Sequence, residues 1–160
     1  MKKESNIPVL IAEIKDEMAK LRWLKEKLER LPKIDSQKEE MVESAALKLH
    51  NFYTGCERIF QLIAREVNGG LPERYDWHKR LLAQMSLDIE GIRPAVISQQ
   101  TSRDLEELLA FRHIVRSIYG YELDAERVDL LVKKAVSLSP TLEMEIEKFC
   151  DSLQQLYDHL

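Results

Sequence analysis

Cysteine is nearly absent from this sequence. Cys56 and Cys150 are the only two, far apart, each among apolar positions of helical spacing and neither in a C-x-x-C pair. The pattern favours two free buried thiols over a disulfide or a metal clip. Glycine and proline are scarce as well, five of each in 160 residues, which leaves few places for the chain to break. No apolar run approaches the ~20 residues of a membrane span, and Met1-Lys-Lys-Glu-Ser-Asn leads into an amphipathic segment, not the apolar core of a signal peptide. The expectation is a soluble, cytoplasmic protein with no membrane segment. A basic excess is also missing. The 24 Lys and Arg stand against 28 Asp and Glu, a net charge of −4, which argues against a protein that tracks a nucleic-acid backbone over a broad face. Any RNA contact must be local. Neither G-x-x-x-x-G-K nor G-x-G-x-x-G occurs, so no phosphate loop is expected. His50 and His78 lack ligand spacing and read as structural polar groups, so no metal and no cofactor is expected.

What the chain does have is apolar residues at three- and four-residue intervals nearly throughout, 44% of all positions being hydrophobic. That periodicity predicts an all-α protein, and the length suits a single domain over residues 1–160 that buries well over half of its unfolded surface. A first helix over residues 8–31 carries Ile11, Ile14, Met18, Leu21, Leu24, Leu28 and Leu31 on one stripe and stops at Pro32. A second begins at a capping box, Ser36 with Glu39, and continues through Leu49, Phe52, Tyr53, Cys56, Phe60 and Ile63 to Asn68-Gly69-Gly70. These two are expected to pair antiparallel. Asp76 can cap a third helix bearing Trp77, Leu81, Leu82, Met85 and Leu87, which Pro94 is expected to break or kink near its end. Thr101 and Asp104 suggest a fourth that spans residues 102–119 and stops at Gly120. The last helical region, residues 124–160, is expected to be interrupted at Ser139-Pro140. Trp23, Trp77, Phe52 and Tyr53 read as core or interface anchors, not as base-stacking platforms.

Chemistry concentrates on the fourth helix, in Ala110-Phe-Arg-His-Ile-Val-Arg-Ser-Ile-Tyr-Gly-Tyr-Glu-Leu-Asp124. At about 100° per residue, Arg112, Arg116 and Tyr119 share a narrow sector beside the core stripe of Leu108, Phe111, Val115 and Ile118, while His113 and Ser117 project further round. The stretch resembles the signature of HEPN-domain ribonucleases of the HepT toxin type, in which an Arg is followed after four residues by a His and two positions later by a Tyr. Arg112 and Tyr119 match, and Ser117 stands where the motif has its catalytic His. Leu49-His-Asn-Phe-Tyr-Thr-Gly-Cys-Glu-Arg-Ile-Phe60 and Asp76-Trp-His-Lys-Arg-Leu-Leu-Ala-Gln-Met85 resemble the second and third helices of the same family. The resemblance covers roughly residues 36–150, with residues 1–32 as an N-terminal helix that the motifs do not test.

The resemblance implies an up-and-down four-helix bundle with additional helices and a homodimer whose motif helices meet at one composite cleft. It also implies an MntA-like minimal nucleotidyltransferase as antitoxin, which attaches AMP to the motif tyrosine, here Tyr119. RNA cleavage without a metal needs a base for the 2′-OH, an acid for the leaving 5′-oxygen and positive charge against the phosphorane. Arg112 and Arg116 suit the last role, since a guanidinium holds phosphate oxygens in a planar fork. Ser117 cannot serve as the base, and His113 is the only imidazole within the motif. Three readings stay open: a ribonuclease toxin using Arg112, Arg116 and a displaced histidine; a non-cleaving HEPN protein that partners a nucleotidyltransferase; and a plain bundle in which both arginines pair with carboxylates on neighbouring helices.

Overall fold

The computed structural model describes residues 6–117 and 123–159, and at positions 116 and 117 the backbone. Five helices follow one another: α1 (Ile7–Glu29), α2 (Glu39–Glu66), α3 (Trp77–Met85), α4 (Gln99–Ser117) and α5 (Ala125–Asp158). The four long ones form an all-α bundle in which α1 packs on α2 and α5, and α4 packs on the same two helices. The short α3 fills the angle between α2 and α4. Helices α1 and α5 run antiparallel: Lys15 lies near Cys150, Arg22 pairs with Glu143, and Leu28 faces Val132. None of the described helices is long and apolar enough to cross a membrane.

Helix α2 is the centre, touching all four others. Its Tyr53, Phe52, Phe60, Leu49, Ile59 and Ile63 are among the largest fully buried side chains. Where α1 crosses it, a Cβ on Gly55 would stand 2.7 Å from Leu21 Cδ2, so glycine sets how closely the two helices approach. Because α2 has neighbours on nearly every side, even Glu57 is buried, and that residue organises the site described below. The helix stops as its glycines dictate: Gly69 takes φ +84° and Gly70 N–H returns to Ala64 O at 3.0 Å. Past α3, the buried Arg93 donates to Asn68 Oδ1 (2.8 Å), Gln84 O (2.9 Å) and Leu87 O (3.0 Å). One guanidinium thus fastens Asn68, past the end of α2, to Gln84 in the last turn of α3 and to the chain just beyond it.

Helix α3 ends at Met85, short of the expected Leu87 and Pro94, and Met85 O accepts Val96 N–H (2.8 Å) from the returning chain. Three other features differ from those read in the sequence, each for an identifiable reason. The Ser36–Glu39 box does not form, since Asp35 takes Gln37 N–H on its carboxylate (2.9 Å) and Lys38 N–H on its carbonyl (3.0 Å), so α2 starts after Lys38. Helix α4 begins at Gln99, not Ser102: Ser98 Oγ accepts Thr101 N–H at 3.1 Å, and Thr101 spends its own hydroxyl on Glu145 of α5 (2.7 Å). Helix α5 is continuous through Pro140. The ring removes one backbone hydrogen bond, but Ala135, Leu138, Leu142 and Ile146 bury on both sides of it and hold the two halves in line. The expected interruption at Ser139-Pro140 is therefore absent. Asp76 does sit at the N-cap of α3, though its side chain makes no capping bond.

Both cysteines are free and buried, and burial pushes the Cys150 thiol up to about 11. In the folded protein at pH 8 neither should react with a thiol-specific disulfide reagent, and both should react once denaturant is added. Pro140→Ala should stabilise the protein by about 2 kcal/mol, the helix-interior penalty of proline of ~3 kcal/mol less the entropy that proline removes from the unfolded chain. Urea unfolding would show this as a raised midpoint, whereas a lowered midpoint would mean that the ring's packing outweighs the lost hydrogen bond.

Candidate functional site

Glu57 occupies the helical position between Tyr53 and Phe60 on the face of α2 that looks toward α3 and α4, and it is only 4% exposed. A carboxylate there needs partners on both oxygens. Oε1 accepts from Arg112 Nη1 of α4 at 3.0 Å, and Oε2 stands 2.8 Å from His78 Nδ1 of α3. Three helices thus meet on one side chain. Arg112 Nη1 also lies 3.3 Å from His78 Nδ1. That nitrogen cannot both accept from the guanidinium and donate to the carboxylate. The shorter contact, to an acceptor-only carboxylate, makes Nδ1 the protonated nitrogen and leaves the lone pair of a neutral ring on Nε2.

The His78 ring is fixed on a second side by Trp77, whose ring stacks on it at a centroid distance of 3.6 Å and an interplanar angle of 29°. His113, next to Arg112 on α4 and exposed, presents its ring to His78 edge to face at 6.2 Å. The cluster is therefore a buried carboxylate, a nearly buried guanidinium, a half-buried imidazole and an exposed one, in order from core to surface. Arg112 Nε is buried and has no hydrogen-bond partner among the described residues, and neither has the Tyr53 hydroxyl one turn before Glu57 on α2. Burial first, then the Glu57 carboxylate, pushes the Tyr53 phenol far up, so it stays protonated. A cleft of about 720 Å³ runs between α1 and α2 beside the exposed Trp23 and Arg58, away from this cluster.

Of the residues singled out in the sequence, Arg112 and His113 come together here. Arg112 takes the pairing with a neighbouring helix that a bundle arginine ordinarily takes, and its charge is balanced within the subunit. Arg116 and Ser117 belong to the end of α4, and Tyr119 lies outside the described residues. Phe52 and Tyr53 are core, Trp77 is half-buried, and Trp23 is exposed. Two members of the cluster, Glu57 and His78, were not among the site residues expected from sequence. A signal for Glu57 was present: a carboxylate at the i+4 position from Tyr53 and three before Phe60, inside an otherwise apolar stripe. Nothing local marked His78 as its partner.

Removing one member of a buried pair leaves the other's charge uncompensated, at a cost of about 3–5 kcal/mol, whereas replacing both with apolar groups costs much less. Glu57→Leu and Arg112→Leu should each lower stability to that degree. The double variant should be more stable than the sum of the two losses implies. A double-mutant cycle on unfolding free energies measures this, and additive losses would show that the 3.0 Å contact carries no coupling.

No curated protein and no solved structure matches the chain. The family model of HepT-like proteins matches residues 44–153, a span that contains most of α2, all of α3 and α4 and most of α5, and with them every member of the Glu57 cluster. The resemblance read in the motif helix and the match across the bundle agree: the chain belongs to the HepT-like family of HEPN-type proteins, a family generally found in toxin–antitoxin modules.

Proposed function

We propose that this chain is the toxin component of such a module, a cytoplasmic, metal-independent endoribonuclease that is silenced when a minimal nucleotidyltransferase of the MntA type attaches AMP to Tyr119. The observation that carries the reading is the gathering of Arg112 and His113 with Glu57 and His78 at one edge of the bundle. Guanidinium and imidazole are the groups that phosphodiester cleavage draws on for charge and proton transfer. Net charge of −4 makes this a local RNA contact on an acidic body. In a homodimer with α4 near the two-fold axis, two such edges would share one cleft and bring Arg116 of both copies to the same phosphate. The AMP phosphate on Tyr119 would offer those guanidiniums an anion and block RNA by charge and bulk together.

A second reading has an observation of its own. Arg112 is already neutralised by Glu57, and Ser117 occupies the motif position of the histidine. Both favour a non-cleaving HEPN protein that partners the nucleotidyltransferase through Tyr119.

Under the ribonuclease reading, cleavage of total cellular RNA by purified protein should be unchanged by EDTA. It should fall at least about tenfold in Arg112→Lys, which keeps the charge but loses the fork, and should rise in Ser117→His. No cleavage by the wild type, together with an AMP adduct transferred to Tyr119 and absent in Tyr119→Phe, would select the second reading. An adduct on Tyr121 or Tyr75 would reject Tyr119 as the modified residue. Light scattering should give the mass of a dimer at micromolar concentration, and a stable monomer would remove the shared cleft.

A further inference from the structure

We infer that His78 and His113 are the acid–base pair of this site, His78 acting on a ribose 2′-OH and His113 on the leaving 5′-oxygen, so that two imidazoles on α3 and α4 do the work of the histidine missing at position 117. The inference rests on the ribonuclease reading above and deepens it. It starts from the only place among the described residues where two histidine rings are in contact, 6.2 Å apart and nearly perpendicular at 84°. At that distance the rings do not bond to each other, and a hydrogen bond of ~3 Å from each can reach the two ends of one phosphodiester linkage held between them.

The two rings are not equivalent, and the difference assigns their roles. His78 is held by stacking on Trp77 and by Nδ1–H donating to Glu57 at 2.8 Å, which turns the lone pair of Nε2 into the available base. Its side chain is 17% exposed, enough for the ring edge to be reached but not for the ring to turn freely. Glu57 faces it from α2 and Arg112 from α4, and the guanidinium at 3.0 Å keeps the carboxylate in place. Both are positioning residues. His113 is exposed, on the next residue of α4, where it can exchange protons with solvent between turnovers. In the sequence Arg116 follows Arg112 by four residues, the spacing of one helical turn.

The step then balances without a metal. His78 Nε2 takes the proton of the 2′-OH as the 2′-oxygen attacks phosphorus. The P–O2′ bond forms, the P–O5′ bond breaks, and the departing 5′-oxygen leaves with a proton from His113. The products are a 2′,3′-cyclic phosphate and a 5′-hydroxyl, and the two histidines have exchanged protonation states. The substrate class is therefore RNA with a free 2′-OH, and DNA would bind without being cut.

The test uses the full-length protein and a DNA oligonucleotide that carries one ribonucleotide, made with either oxygen or sulfur as the 5′-leaving atom. His78→Asn keeps an N–H for Glu57, and His113→Gln lies at an exposed position, so both should fold with the wild-type melting temperature. Each should cut the oxygen substrate at least about 100-fold more slowly, within the range that general acid–base catalysis contributes, while binding the all-DNA oligonucleotide as the wild type does. A thiolate leaves without a proton, so the sulfur substrate should restore cutting by His113→Gln and not by His78→Asn. His159→Ala should behave as wild type, and the product should end in a 2′,3′-cyclic phosphate. If the wild type cuts and both variants cut equally well, the imidazole pair is wrong while the ribonuclease reading stands. Failure of sulfur to rescue His113→Gln removes the acid assignment. If the wild type cuts neither substrate, the ribonuclease reading itself falls.

Discussion

A carboxylate buried at the centre of a helical bundle constrains everything around it. Glu57 lies on the one helix that touches all the others, and leaving its charge unpaired there would take a large share of a small domain's stability. Its two oxygens are taken by side chains from two different helices, Arg112 of α4 and His78 of α3. The contact therefore fixes how the short α3 docks, since nine residues make a helix too short to hold its own conformation. Arg93 does the same at the far end of α3 with backbone carbonyls as acceptors. Between these two anchors the His78 ring has one orientation, and the chemistry proposed for it depends on that.

The architecture was legible because the bundle is built from periodicity alone. The stripes of α1, α2 and α5 predict their buried faces, and Gly69-Gly70 stops α2 where a left-handed residue is needed. The errors fall where a side chain had a better partner than the local rule allowed. Ser36 lost its capping role because Asp35 draws Gln37 and Lys38 into a turn and α2 starts after Lys38 with no side-chain cap, and Thr101 turned its hydroxyl to Glu145 across the bundle. Pro140 is the opposite case. A strong local breaker sits inside a 34-residue helix because buried apolar residues on both sides hold the helix through it. Asp35 acts within one turn of sequence, whereas the contacts that decided Thr101 and Pro140 are tertiary, and no window of sequence contains those.

The site divides in the same way. Arg112 and His113 could be named from one helix because a motif is a local pattern. Glu57 and His78 could not be paired, because they are brought together by the docking of α3 on α2, across 21 positions of sequence. The two arginines of the motif were read as equivalent, one turn apart. Arg112 spends its charge inside the subunit, on Glu57.

The site turns on a single proton, the one on His78 Nδ1. The nitrogen chemical shifts of the His78 ring, recorded at a pH where the imidazole is neutral, report which nitrogen carries it. The arrangement described here requires Nδ1–H donating to Glu57 with Nε2 bare, and the signal should shift to a mixture of tautomers in Glu57→Gln. A ring protonated on Nε2, with Nδ1 accepting from the Arg112 guanidinium, would contradict the carboxylate–imidazole pair from which the rest of the site is built.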